Sequence, residues 1–137
     1  MRNNFNGYLG KDDNSFIHDF ISNHSAGHVV NSSFVPSVDV IEKDNAFELY
    51  LALPGCRKED ISLNLEERKL IVTGIRAKVA DGQYKVNEIK YGKFSRGFQL
   101  PEIADCEKIT AEFIDGILQI KVSKVPAKRN FKTVEIK

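Results

Sequence analysis

The stretch KFSRGFQLPEIADCEKITAEFIDGILQIKV, residues 93–122, decides the fold class. At its centre stand Asp115 and Gly116, a dipeptide that readily takes positive φ and suits a two-residue hairpin turn. Folding the chain there sets Ile114 opposite Ile117, Phe113 opposite Leu118, Ala111 opposite Ile120 and Ile109 opposite Val122. Between them Glu112 meets Gln119 and Thr110 meets Lys121. One face is then apolar and the other polar along both arms, as a fixed register requires. The spacing predicts a β-hairpin.

Upstream, alternation over residues 94–100 puts Phe94, Phe98 and Leu100 on one side of a strand. Arg96 shares their parity. A guanidinium on an apolar face is costly unless a carboxylate or carbonyls meet it. Two readings stand: the side chain escapes to water at a strand end, or it forms a buried ion pair with another segment or subunit.

Working back toward the N-terminus, residues 77–92 form a long polar connection with a turn at Asp81-Gly82 and alternation at Tyr84 and Val86 before Glu88. A connection of that length in a compact domain usually has a function. Before it come Leu70 and Val72, with Ile71 and Ile75 on the opposite face, so that this strand is expected to be covered on both sides. Residues 66–68 form a turn and Ile61, Leu63 and Leu65 a further apolar row. Residues 57–60 suit one helical turn. Phe47, Leu49, Leu51 and Leu53 make a long half-buried strand that Pro54-Gly55 stops, and Val38 and Val40 a short one. Six to eight short strands with regular turns and no long helix predict an all-β, antiparallel, immunoglobulin-like sandwich.

The flanks read differently. Residues 1–35 form an arm rich in Asn, Ser, Gly and His. Phe16, Ile17, Phe20 and Ile21 fit one stripe of a short helix capped by Asn14 or Ser15, too short to stand alone. With Phe5, Tyr8 and Leu9 they give the arm apolar side chains, so the arm is expected either to be pinned onto a partner surface or to be mobile and expose them intermittently. At the other end, the tail of residues 125–137 carries Val134 and Ile136, either plugs for an exposed groove or incidental residues of a frayed terminus.

The totals exclude several function classes. At 137 residues the chain fits one domain plus arms. A net charge of +1 gives no reason to expect nucleic acid or an acidic membrane as partner. Cys56 and Cys106 lack metal or redox spacing and are expected to be passive, free thiols in a cytoplasmic protein. His18, His24 and His28 all lie in the arm and supply too few ligands for a metal. No nucleophile-and-base pair, zinc motif or phosphate loop is present, so neither enzyme activity nor a cofactor is expected. A carbohydrate-binding sandwich would want exposed aromatics on a concave face, and there is no Trp.

Residues 36–137 resemble the small heat-shock protein family, built on the α-crystallin domain. The resemblance is carried by residues 36–41, Leu53-Pro54-Gly55 with residues 58–61, residues 70–74, residues 92–101 and residues 111–118. The last of these is similar to the family signature A-x-x-x-[ND]-G-[VI]-L, and Val134-Glu135-Ile136 to its I/V-x-I/V anchor. The resemblance implies an ATP-independent holdase that forms dimers and larger homo-oligomers and binds unfolding client proteins. It implies an α-crystallin domain over residues 36–124, with residues 77–92 as the dimerisation loop. In that loop a strand over residues 83–88, carrying Tyr84 and Val86, crosses to the partner. Glu88 then pairs with Arg96 between subunits. Val134 and Ile136 dock between Ile61, Leu63 and Leu65 on one strand and Ile109, Ala111 and Phe113 on the other. The arm serves clients. Val134 stands where Ile is common, a loss of at most about 0.8 kcal/mol of burial. The rival reading is a monomeric adaptor on the related CS-domain sandwich, which needs neither the tail anchor nor the long loop.

Overall fold

The computed structural model describes residues 33–126 and 134–137. The arm side chains from Phe5 to Ile21 and the three histidines lie outside the described residues.

Alternating apolar residues build the strands in the order expected. β1 (Val38–Glu42) turns at residues 43–45 into β2 (Ala46–Ala52), whose Phe47, Leu49 and Leu51 are fully buried. Leu53 extends that row to the Pro54-Gly55 break. One 3₁₀ turn, Lys58–Asp60, follows, held by Arg57 Nε donating to Asp60 Oδ2 at 3.0 Å. β3 (Ile61–Glu66) and β4 (Lys69–Arg76) then form a hairpin. β4 is covered on both faces only around Ile71, since Ile75 on the same outer face is 44% exposed. β5 (Gly92–Gln99), β6 (Ala104–Ile114) and β7 (Ile117–Lys124) complete the set.

The β6–β7 hairpin has the register read from the sequence, from Ile109 opposite Val122 to Ile114 opposite Ile117. Asp115 and Gly116 take φ of 53° and 79°, positive at both central positions as a type I′ turn requires. The register slips between Ala104 and Ile109, a bulge that bends the start of β6.

Two antiparallel sheets result, ordered β1-β2-β7-β6 and β3-β4-β5. Their inner faces share one core, with Phe47, Phe94 and Phe98 at its centre and Leu70, Val72, Ile120 and Val122 around them. Close approach explains one glycine. A Cβ on Gly74 would overlap the Asp60 carbonyl oxygen and lie 2.5 Å from Phe94 Cζ.

Residues 33–36 fix how the sheets overlie. Ser33 and Phe34 both donate backbone N–H groups to the Lys93 carbonyl, and Phe34 pairs with Phe94 in a parallel bridge. This short segment covers the free edge of β5 and leads directly into β1. The β1 and β5 edges therefore share one side of the sandwich, and the β6 and β3 edges share the other.

Candidate interface and binding edges

Arg96 sits on the core face of β5 between Phe94 and Phe98, opposite Val72 of β4. It is 8% exposed, so the guanidinium does not escape to water. Its Nη1 donates to the Pro36 carbonyl at 2.7 Å, and the group stands 5.6 Å from the centre of the Phe98 ring. Its Nε is buried without a hydrogen-bond partner. Burial pushes its pKa below the ordinary arginine value, because a low-dielectric site disfavours the charged form. No carboxylate among the described residues pairs with it. One carbonyl is a thin compensation for a buried cation.

Glu88 does not supply that acceptor within the chain. It lies in the 77–91 connection, where the single chain forms no strand and every residue from 77 to 90 is exposed. Val79, Val86 and Ile89 are 84%, 71% and 62% exposed. The expected strand over residues 83–88 does not form in the single chain, and the segment pairs with none of the free edges of its own sandwich. A lone segment leaves its backbone groups to water. Local contacts shape the loop instead: Tyr84 donates its hydroxyl to the Ala80 carbonyl at 2.6 Å, and Lys78 Nζ lies 4.8 Å above the Tyr84 ring.

On the opposite side of the sandwich, β3 and β6 each have one paired neighbour and one free edge. Ile61 and Leu63 on β3 and Ile109 and Phe113 on β6 pack against the core yet stay half-buried. Leu65 and Ala111 are exposed. The result is an apolar strip flanked by unpaired backbone groups, the combination that an added extended segment satisfies. Val134 and Ile136 do not occupy it in the single chain. They stand in solvent.

Three features escaped the sequence reading. Arg68, assigned only to a turn, donates Nη2 to the carbonyls of Pro101 and Ala104 and ties the β3–β4 turn to the start of β6. Arg76 contacts the loop and the residues before β1. The Pro36 carbonyl meets Arg96. They depend on backbone acceptors and, for Arg76, also on the Phe34 ring, which residue types alone do not reveal.

The family model described as Hsp20/alpha crystallin matches residues 39–137, spanning all seven strands, the connection and the tail. The chain belongs to this family. It is 33% identical over 127 residues to small heat shock protein C4 of Rickettsia felis, covering 90% of this chain and 76% of that one. Heat shock protein 16.0 of Schizosaccharomyces pombe superposes with a TM-score of 0.71 at 26% identity, covering 94% of both chains. A small heat-shock protein of Xylella fastidiosa superposes with a TM-score of 0.68 at 33% identity over 77% of this chain and 99% of that one. The α-crystallin sandwich is thus shown by sequence and by fold. Membership of the small heat-shock proteins implies a chaperone.

Cys56 and Cys106 are free, half-buried thiols. Burial raises the Cys56 pKa, and the neighbouring Arg76 guanidinium partly offsets this. Among the described residues no group of His, Cys, Asp and Glu is placed to hold a metal, and no helix is long and apolar enough to cross a membrane.

Proposed function

We propose that this protein is an ATP-independent holdase of the cytoplasm that captures partly unfolded proteins before they aggregate. The observation that supports it best is the half-covered apolar strip between the free edges of β3 and β6. Unfolding clients present apolar side chains together with unpaired strand backbone, and this strip offers the complement of both. Tail residues Val134 and Ile136 of another subunit compete for the same place, so the strip is filled at rest and vacated under stress. The arm residues Phe5, Tyr8, Leu9, Phe16, Ile17, Phe20 and Ile21 add further weak apolar contacts to clients.

Self-association has its own support on the other side of the sandwich. The outer edge of β1 is unpaired, and Arg96 reaches the Pro36 carbonyl two residues before β1 begins. A partner's loop strand laid along β1 brings that loop's carboxylate toward Arg96. Glu88 of each subunit then completes the pair that the single chain lacks.

The test is heat-induced aggregation of a model client followed by light scattering, with and without ATP, for the full chain and for a variant lacking residues 1–30. The full chain should suppress scattering equally in both conditions, and the truncation should lose protection while remaining a folded dimer. A monomeric full chain that protects nothing would favour the single-partner adaptor.

A further inference from the structure

Arg76, the last residue of β4, touches three separate parts of the chain. Its Nη1 donates to the Lys90 carbonyl at 2.9 Å, where the long connection returns to β5. Its guanidinium carbon lies 4.4 Å from the centre of the Phe34 ring. Phe34 in turn packs on Phe94, ring centres 5.5 Å apart, in the segment that covers the β5 edge. The Arg76 side chain also passes 3.9 Å from where a Cβ on Gly55 would stand. A planar guanidinium can stack on a ring and donate sideways from its edge at once, which an ammonium cannot do as well.

We propose that Arg76 is a latch joining the root of the N-terminal arm to the end of the 77–91 connection, so that loosening either one loosens the other. The Phe34 ring holds the guanidinium in the plane from which Nη1 reaches the Lys90 carbonyl. Losing the ring frees the arginine to turn to water, and the connection loses its tether. Losing the arginine uncovers Phe34 in the same step. The latch stands on contacts within one chain and holds whether or not the protein is a holdase.

Endoproteinase Lys-C provides the readout, because the Lys90 carbonyl that Arg76 holds belongs to the peptide bond this protease cuts. Lys85 lies in the same exposed connection and serves as an internal reference. In the full chain, Phe34→Ala should raise the rate of cutting at Lys90 relative to Lys85 by about two- to fivefold, the population change expected from losing a part-exposed cation–π contact. Arg76→Ala should do the same, and Arg76→Lys should fall between. An unchanged ratio in Phe34→Ala overturns the latch. Amide exchange at Ser33 and Phe34 gives the reciprocal reading and needs no cutting. Arg76→Ala should speed it several-fold while Leu118, Ile120 and Val122 keep their protection, showing the sandwich intact. Unchanged exchange at Ser33 and Phe34 in that variant likewise overturns it.

Discussion

Arg96 donates to the carbonyl of Pro36 across sixty positions of sequence at 2.7 Å, and this bond ties the middle of β5 to the entry of β1. It joins the two sheets at the edge where a second subunit would add a strand. The same arginine keeps a buried Nε without a partner. A cation held by one carbonyl is stable enough to fold around, and it is poised to gain from an incoming carboxylate.

Exchanging Arg96 for methionine separates these two roles. An apolar side chain of similar length removes the cost of burying the cation, while the Pro36 carbonyl loses its donor, a cost of about 1–3 kcal/mol, so the two roughly offset in the isolated fold. Arg96→Met should therefore unfold at about the same denaturant concentration once dissociated, yet dimerise more weakly in sedimentation analysis. Glu88→Ala should weaken the dimer to a similar degree. In a double-mutant cycle the two changes should be strongly non-additive. Additive losses would mean that Glu88 and Arg96 do not meet.

Glu67 makes a second prediction from backbone geometry alone. It takes φ of 58° in the two-residue turn between β3 and β4, a conformation that costs an L-residue about 1–2 kcal/mol. Glu67→Gly should raise the stability of the fold by about 1 kcal/mol, less than the full strain because glycine also loses more backbone freedom on folding. Thermal unfolding should shift upward by a few degrees. Arg68 must keep its bonds to Pro101 and Ala104 for the gain to appear.

The strands were legible because each apolar row has one partner row and one core to face. Leu49, Leu51, Ile120 and Val122 could be placed by alternation before any pairing was known, and Asp115-Gly116 fixed the register of β6 and β7. Arg96 was legible as an anomaly, since its parity put charge among phenylalanines. Its acceptor was not, because the Pro36 carbonyl has no residue-type signature. Glu88 and the 83–88 segment show a different limit. Their expected strand forms on none of the free edges of its own sandwich, and alternation at Tyr84 and Val86 carries no information about which edge would accept it. Arg68 was placed only in a turn and Arg76 was not singled out, for the reason that hid the acceptor of Arg96: their partners are main-chain oxygens or a ring far away in sequence.

On the outer face of the four-stranded sheet, Tyr50 donates its hydroxyl to Glu48 Oε1 at 2.7 Å, and Lys43 Nζ lies 3.2 Å from the same oxygen. The tyrosine hydrogen bond, with the lysine beside it, holds the Glu48 pKa below its ordinary value near 4.5. A carboxyl depressed in the folded state contributes stability above its unfolded pKa and loses it as pH falls through the folded one. The contribution should therefore be complete above about pH 5 and fade below 4.5. Tyr50→Phe should move the Glu48 carboxyl signal back toward its ordinary midpoint in a carbon-detected NMR titration. It should also reduce the loss of stability on acidification. An unmoved midpoint would assign the depression to Lys43.

The tail offers the most direct test of assembly. Val134 and Ile136 are 77% and 93% exposed in the single chain, while the strip beside Ile61, Leu63, Ile109 and Phe113 is only half covered. Two truncations, Val134→Ala and Ile136→Ala, together remove about five methyl or methylene groups, worth about 4 kcal/mol of burial at most. If the tail docks between subunits, that loss weakens each contact by up to about a thousandfold, and light scattering should show large assemblies falling to dimers. On the proposed arrangement the dimer should survive, because the partner's loop strand lies along β1, on the other side of the sandwich from the strip. Replacing Val134 by isoleucine should act in reverse and hold the assembly together at lower protein concentration. An assembly unchanged by the double truncation would leave the strip free for clients at all times, and protection would then need no stress to begin.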